Sequence, residues 1–289
     1  MNVSFDDALE EYLTYVKLKR KGNTYETIER RIKKHIQPFF KNKSIDKIGT
    51  KDYLKWQQEI DKLNFKFNYK SCLHYTFSSF FEFCNKFYDI DNIVQKVGNF
   101  KNEEIEQLGN YWTIDEFKKF ISVIDNKKEK IMFKLLFLTG LRKGELLGLT
   151  WDDIDFNNNL ITVNKTITRK HELHTPKTKT SNRIICISKE LAEELSEISK
   201  NKTGFIFNIS FSQLKRKKDY YCKIAEVKQI KIHEFRHSHA ILLYQNSVPI
   251  DEISSRLGHS KISITTDIYL KYMPRNEKRV SNFLNTLIV

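Results

Sequence analysis

Two arginines and a histidine in separate parts of the sequence carry the side chains best suited to binding a phosphate group. His233 and Arg236 are three residues apart, so on a helix they lie on the same side. An arginine donates a planar fork of hydrogen bonds, and a histidine donates one hydrogen bond or moves a proton. Arg142, which follows a turn at Gly140, would supply a second guanidinium. Each motif alone is weak, because H-x-x-R often lies on a solvated helix face.

Helices with short connections are predicted for most of the chain, with a small antiparallel β-sheet in the second half. Alternating residues in 159–166 predict one strand and residues 183–188 a second, with residues 176–182 as the hairpin tip between them. The low content of Gly and Pro, 9 and 4 residues, disfavours an all-β fold. The predicted helices are 4–19, 24–38, 50–61, 66–87, 113–123, 127–138 and 142–149, with further helices from Lys189 onward.

A polar segment divides the chain into two predicted domains. Residues 101–111, which include three glutamates, are the predicted linker between a helical domain at 1–100 and an α+β domain at 112–289. The aromatic side chains of residues 66–87 are predicted to pack between helices rather than to stack on bases. The acidic residues after Trp151 are predicted to form a turn with Asx-type hydrogen bonds rather than a metal site.

The charge of the chain indicates a polyanionic partner. In 289 residues, 50 Lys and Arg outnumber 36 Asp and Glu, which gives a formal net charge of +14. Residues 1–100 hold 18 of the basic and 13 of the acidic residues, so both domains are basic and a nucleic acid would contact both. The run Lys215–Lys218 fits phosphate contacts about as well as a solvated helix face. No apolar run is long enough to predict a membrane span, and the four cysteines show no metal or disulfide spacing.

The order of the polar motifs is far more specific than any one of them. T-G-L-R-K-G-E spans Thr139–Glu145, H-E-F-R begins at His233, L-G-H-S begins at Leu257, and a tyrosine follows at Tyr269. This order resembles that of the tyrosine recombinases, the phage integrase family of site-specific DNA recombinases. The resemblance implies a SAM-like core-DNA-binding domain in residues 1–100, followed by the catalytic domain, with the two domains gripping opposite faces of duplex DNA.

The resemblance implies a catalytic role for seven residues. Tyr269 would be the nucleophile, forming a 3′-phosphotyrosine link that retains the energy of the phosphodiester bond, so that strands are rejoined without ATP. Arg142, Arg236 and His259 would hold the non-bridging oxygens without a metal ion or other cofactor, and Glu145 would orient the site. The seven residues are Arg142, Glu145, Lys177, His233, Arg236, His259 and Tyr269.

Two of these assignments have competitors nearby in the sequence. Spacing from L-G-H-S favours Tyr269 over Tyr272 as the nucleophile. Lys177 would protonate the departing 5′ oxygen from the hairpin tip, and Lys179 competes for this role because hairpin length varies. His233 would accept the tyrosine proton or bind an oxygen.

The implied activity is integration or excision of a mobile element, as in integrases of phages and conjugative elements. The implied partners are duplex DNA recombination sites, three further copies of the chain in a tetramer, and a DNA-bending host factor or an excisionase, in the bacterial cytoplasm at the nucleoid. A Xer-like dimer resolvase and a type IB topoisomerase-like enzyme are alternatives with the same chemistry. A non-catalytic DNA-binding regulator is the alternative from another class.

The two ends of the chain raise separate expectations. An apolar stripe in residues 280–288 predicts a tail helix, which would dock on its own domain or on a neighbouring protomer. Many family members carry an N-terminal arm-binding domain. This sequence begins at the core-binding region, which is expected of a shorter member or of a trimmed chain.

Overall fold

A computed structural model describes residues 3–20, 22–102, 110–168, 172–174, 182–199, 203–263 and 265–266. The chain divides into two compact units, Met1–Glu106 and Gln107–Val289. Within the described part of the chain, no helix combines the length and the apolar composition that a membrane crossing requires.

The N-terminal unit consists mainly of helices in its described residues. Ser4 caps the first helix, because its hydroxyl accepts a hydrogen bond from the backbone N–H of Asp7 at 3.1 Å, as the sequence predicts. The second predicted helix is wrong in detail, since it begins two residues early and is followed by one wider helical turn at Ile32–Ile36 before the chain reaches Pro38. The helices are α1 Phe5–Lys19, α2 Gly22–Arg31, α3 Gln37–Phe40, α4 Thr50–Asp61, α5 Phe67–Tyr88 and α6 Ile93–Val97.

Aromatic side chains form the core of this unit. Phe77 is fully buried, and its ring lies 4.9 Å from that of Phe40 and 5.3 Å from that of Trp56. The predicted packing role of the α5 aromatics is confirmed for Phe77 and for its buried neighbours on the same helix. It is wrong for Tyr75, which is 64% exposed because it lies on the opposite face of α5.

The second unit combines helices with two small antiparallel sheets among its described residues. One sheet has the strand order β1-β2-β5 and the other pairs β3 with β4. The strands are β1 Ile154–Asp155, β2 Leu160–Val163, β3 Thr166–Ile167, β4 Leu173–His174 and β5 Arg183–Cys186. The helices are α7 Ile114–Ser122, α8 Lys127–Thr139, α9 Lys143–Gly148, α10 Lys189–Glu197, α11 Phe211–Ile224, α12 Glu234–Gln245 and α13 Ile250–Leu257.

The predicted hairpin is confirmed in its pairing and corrected in its length. β2 and β5 pair with Val163 opposite Arg183, as the two predicted strands require. The first predicted strand, however, ends at Val163 instead of continuing to Thr166. After the strand ends, the ammonium of Lys165 pairs with the buried carboxylate of Asp153 at 2.8 Å, and Thr166 begins a strand of the separate sheet.

The acidic stretch after Trp151 forms the predicted turn. The Asp155 carboxylate accepts hydrogen bonds from the backbone N–H groups of Asn157 and Asn158, at 3.0 and 3.1 Å, which is an Asx turn. Asp153 instead accepts from the backbone of Thr150 at 2.8 Å. Both carboxylates are therefore used by the local backbone.

Candidate active site

Arg142 and Glu145 are brought together by the start of a helix. Arg142 is the N-cap of α9, and the Glu145 carboxylate accepts from its backbone N–H at 2.9 Å and from its Nη1 at 2.7 Å. The other end of the guanidinium, Nη2, donates to the carbonyl of Gly258 at 3.4 Å. Arg142 therefore links α9 to the segment after α13, where His259 lies.

Arg183 is a second guanidinium on the same carboxylate, and sequence reasoning missed it. Its Nη2 donates to Glu145 Oε2 at 2.9 Å and its Nη1 to Oε1 at 3.2 Å. One signal was present in the sequence, because in an alternating strand Arg183 lies on the same face as Ile185, which is fully buried. An arginine on the buried face of a strand requires a buried acidic or carbonyl partner.

Glu145 is held in its ionised form by these two arginines. Its side chain is only 5% exposed. Burial by itself raises the pKa of this carboxyl, but the hydrogen bonds and charge of Arg183, helped by the charge of Arg142, outweigh it and lower the pKa to about 2. The carboxylate is therefore a fixed negative charge at any pH near neutrality.

Arg236 is buried and is oriented by two helix ends. Its Nη1 donates to the carbonyl of Gly140 at 2.8 Å, and its Nη2 donates to the carbonyl of Leu257. α8 and α13 both end in glycines with left-handed backbone, Gly140 at φ 66° and Gly258 at φ 67°. These turns expose carbonyls at the negative ends of the two helices, which suit a cation.

The charge of Arg236 survives its burial. The side chain belongs to a residue only 2% exposed, and burial followed by repulsion from Arg142 lowers its pKa. A guanidinium starts from so high a pKa that it remains protonated at neutral pH. The site thus holds a desolvated positive charge beside a more exposed one.

Two histidines complete the described part of the site, and both are neutral at neutral pH. Burial lowers the pKa of His233 to about 4, and the nearby His237 and the two arginines act in the same direction. Burial likewise lowers the pKa of His259 to about 3, with Arg236 and Arg142 adding to the effect. The Nδ1 atom of His259 lies 2.7 Å from the hydroxyl of the buried Thr265, which fixes the orientation of the ring.

A second layer supports the glycine turn next to Arg236. His239 is 2% exposed, its ring occupies the space that a Cβ at Gly140 would need, and its Nε2 accepts a hydrogen bond from Arg256 Nε at 3.1 Å. Arg256 also donates to the carbonyls of Leu138 and Cys186, at 3.2 and 3.0 Å. Because Nε2 accepts, the neutral ring of His239 carries its proton on Nδ1. The sequence motifs do not identify this pairing of His239 with Arg256.

The described residues thus bring together five of the predicted site residues: Arg142, Glu145, His233, Arg236 and His259. The remaining predictions, Lys177 with its competitor Lys179 and Tyr269 with its competitor Tyr272, lie outside the described residues, as does the predicted tail helix at 280–288. The same holds for residues 103–109 of the predicted linker. In the described ranges, no group of three or more His, Cys, Asp or Glu side chains is placed to hold a metal ion.

The basic run on α11 is only partly free for a ligand. Lys217 pairs with Glu129 at 2.7 Å, and Lys218 is 4% exposed and bonds Gln229 at 2.9 Å. Arg216 is exposed. The run therefore differs from both expectations, because it is neither a uniformly solvated helix face nor a continuous row of side chains free to contact phosphates.

Comparisons with known proteins agree on one family. The model of the phage integrase family matches residues 110–275, and that of the phage integrase N-terminal SAM-like domain matches residues 4–60. The ICEBs1 integrase of Bacillus subtilis (strain 168) is 30% identical, with 99% of this chain and 84% of that protein covered. Tyrosine recombinase XerA of Pyrococcus horikoshii is 28% identical, with 92% and 89% covered.

Solved structures show the same fold. The integrase of transposon Tn1549, solved in complex with a circular intermediate DNA, superposes with a TM-score of 0.79 at 20% identity, over 97% of this chain and 99% of that chain. A lambda integrase dimer bound to a COC′ core site gives a TM-score of 0.70 at 17% identity, over 95% and 97%. The architecture of this chain is therefore an N-terminal SAM-like domain followed in sequence by helices with small antiparallel sheets, as the sequence predicts.

Proposed function

The chain belongs to the phage integrase family of tyrosine recombinases, and we propose that its two arginines and two histidines bind one scissile phosphate of duplex DNA. It is a site-specific recombinase of the tyrosine type. In the proposed reaction the hydroxyl of Tyr269 attacks the phosphorus, the bond to the 5′ oxygen breaks, and a 3′-phosphotyrosine link forms. Reversal by a 5′ hydroxyl from another strand restores the phosphodiester.

One observation carries this proposal. Arg142 and Arg236 belong to different helices, yet both are fixed by backbone carbonyls of the turn that leads to His259, those of Gly258 and Leu257. Two guanidiniums held in advance stabilise the negative charge that develops on the non-bridging oxygens without reorganising during the reaction. This arrangement performs the charge stabilisation that a metal ion performs in other phosphoryl transfers.

The neutral state of the histidines fits the proton transfers. A tyrosine hydroxyl has an ordinary pKa of about 10, so its attack near neutral pH requires a proton acceptor. His233 is neutral at this pH and is able to accept that proton or donate a hydrogen bond to an oxygen. His259 would donate from Nε2 to a non-bridging oxygen, with Nδ1 held by Thr265. Lys177, with Lys179 as the alternative, would protonate the leaving 5′ oxygen.

The finer assignments form part of the proposal. The recombination sites are duplex DNA, and four copies of the chain act on two sites, with the tail at 280–288 docking on its own or a neighbouring protomer. Residues 1–100 form the core-DNA-binding domain, residues 101–111 the linker and residues 112–289 the catalytic domain. The element would integrate or excise in the bacterial cytoplasm at the nucleoid, with a DNA-bending host factor or an excisionase as accessory partner.

A nicked suicide substrate tests the proposal. The probe is a duplex spanning the mapped end-join of the element that carries the gene, with a nick close to the cleavage site so that the released strand diffuses away. The wild type is expected to accumulate a covalent protein–DNA adduct, which Tyr269→Phe abolishes and the matched control Tyr272→Phe retains. Specific binding without any adduct would overturn the proposal in favour of a regulator.

Product analysis separates the enzymatic alternatives. Joining of two sites on different molecules is expected of an integrase. Relaxation of a single supercoiled plasmid without joining would favour a topoisomerase-like enzyme, and reaction restricted to two directly repeated sites on one molecule would favour a dimer resolvase.

A further inference from the structure

We infer that Arg183 is a positioning residue for the reaction, which neutralises Glu145 so that the charge of Arg142 remains available to the DNA phosphate. The inference rests on the proposed function, because it explains how one of the two phosphate-binding guanidiniums is kept in place. Nothing in the motif pattern of the family resemblance includes Arg183.

The contact between Arg183 and Glu145 is bidentate and buried. Both oxygens of the carboxylate accept from Arg183, at 2.9 and 3.2 Å, and the two side chains are 6% and 5% exposed. Paired forks of this kind are the strongest of the charge-assisted hydrogen bonds. Arg142 reaches the same carboxylate through Oε1 only, at 2.7 Å.

The side chains of Arg142 and Arg183 differ in their exposure to solvent. The Arg142 side chain is 37% exposed, so a phosphate is able to reach it, whereas Arg183 is covered. If Glu145 had only Arg142 as its partner, the two charges would cancel, and the pair would offer a phosphate no net attraction. With Arg183 present, the cluster of three groups keeps one positive charge, and it lies on the accessible arginine.

Arg183 also joins three segments of the site. It begins β5, which pairs with β2, and it reaches α9 through Glu145. Its Nε donates to the carbonyl of Arg256 at 2.7 Å, two residues before Gly258, the residue whose carbonyl accepts from Arg142. A change at Arg183 therefore alters both the charge balance and the geometry of the pocket.

Four variants separate the charge role from a merely structural one. These are Arg183→Gln, Arg183→Lys, Glu145→Gln and the double variant Arg183→Gln with Glu145→Gln. Each is assayed on the nicked suicide duplex for the adduct-formation rate at saturating protein, and on an intact duplex for binding affinity. Lys189→Gln, which removes one exposed charge from α10 in the same unit, is the matched control.

Arg183→Gln is expected to slow adduct formation by about 100-fold, the scale of a displaced catalytic group, while affinity for intact duplex changes less than about threefold. The double variant is expected to recover about tenfold of that loss, because without the carboxylate Arg142 is no longer neutralised. Arg183→Lys keeps the charge without the fork and is expected to cleave faster than Arg183→Gln. Lys189→Gln should cleave like the wild type.

Two results would overturn the inference. One is wild-type cleavage by Arg183→Gln. The other is a double variant no faster than Arg183→Gln, which would show that Arg183 acts on packing alone. If Arg183→Gln fails to fold, as circular dichroism would show, Arg183→Met, which keeps a long side chain without the charge, is compared with and without Glu145→Gln, and absence of rescue again overturns the inference. Failure of the wild type to form an adduct would refute the proposed function instead, so the two failures are distinguishable.

Discussion

Gly140→Ala is the substitution whose effect the structure predicts most directly. Gly140 ends α8 with φ at 66°, a left-handed conformation that residues with a Cβ rarely adopt. A Cβ at this position would lie 2.6 Å from Cδ2 of Leu257 and 2.8 Å from Cδ2 of His239. The carbonyl of the same residue accepts from Arg236, so any shift of the turn also displaces a guanidinium that we propose binds the DNA phosphate.

The expected cost has two separable parts. The left-handed backbone conformation costs a non-glycine residue about 1–2 kcal/mol. Overpacking against two buried side chains, Leu257 and His239, costs about 1–3 kcal/mol more. Gly140→Ala should therefore lower the free energy of unfolding of the second unit by about 2–5 kcal/mol.

A matched glycine in the same unit isolates the overpacking. Gly204 has φ at 73°, and a Cβ there would meet no atom within 4 Å, so Gly204→Ala carries the backbone cost alone. Pulse hydrogen exchange at increasing urea, read on peptides of the second unit, gives the two free energies of unfolding, and the suicide substrate gives the cleavage rates. Equal losses of stability in the two variants, or wild-type cleavage by Gly140→Ala, would refute the reasoning.

Three further predictions concern the charged and titrating groups. The pKa of Glu145 is about 2 in the folded protein and about 4.3 in the unfolded chain, so the stability that this carboxylate contributes is complete above pH 4.3 and is lost as the pH falls toward 2. Between pH 6 and pH 3, urea titrations should show the wild type losing about 2 kcal/mol more unfolding free energy than Glu145→Gln. Equal losses in the two proteins would contradict this. Because the pKa of His233 is about 4, NMR of ¹³C-labelled histidine should find it neutral from pH 8 to pH 5.5, and a midpoint at the ordinary 6.5 would contradict the burial argument. Thr265→Val removes the hydroxyl that holds His259 and should slow adduct formation by about 10-fold or more, whereas Thr265→Ser should keep most of the wild-type rate. Equal rates for Thr265→Val and the wild type would show that the hydrogen bond does not position the ring.

The elements that could be predicted are those whose signal is local. The cap at Ser4, the helices and the pairing of β2 with β5 follow from side chains a few residues apart in the sequence. The second sheet, β3 with β4, was missed because each strand is two residues long and gives no alternation to detect. Between β2 and β3, Lys165 pairs with a carboxylate in another segment, Asp153, and no local pattern indicates such a contact.

The same division holds for the site. Arg142, Glu145, His233, Arg236 and His259 lie in motifs whose order is informative, and the structure brings them together. The supporting groups are single residues whose partners are remote. Arg183 meets Glu145 across 38 positions, and Arg256 meets His239 across 17. No local pattern encodes such a contact, because it exists only once β5 and the helices have packed.

The gathering of Arg142, Arg183 and Arg236 around a single carboxylate has a consequence for the fold itself. Folding brings these positive charges close together, and the lowering of the pKa of Arg236 by the charge of Arg142 reflects their repulsion. Because the arginines are already in place before DNA binds, binding of the phosphate does not cost the free energy of ordering them. This repulsion lowers the stability of the free protein, and a bound DNA phosphate would relieve it.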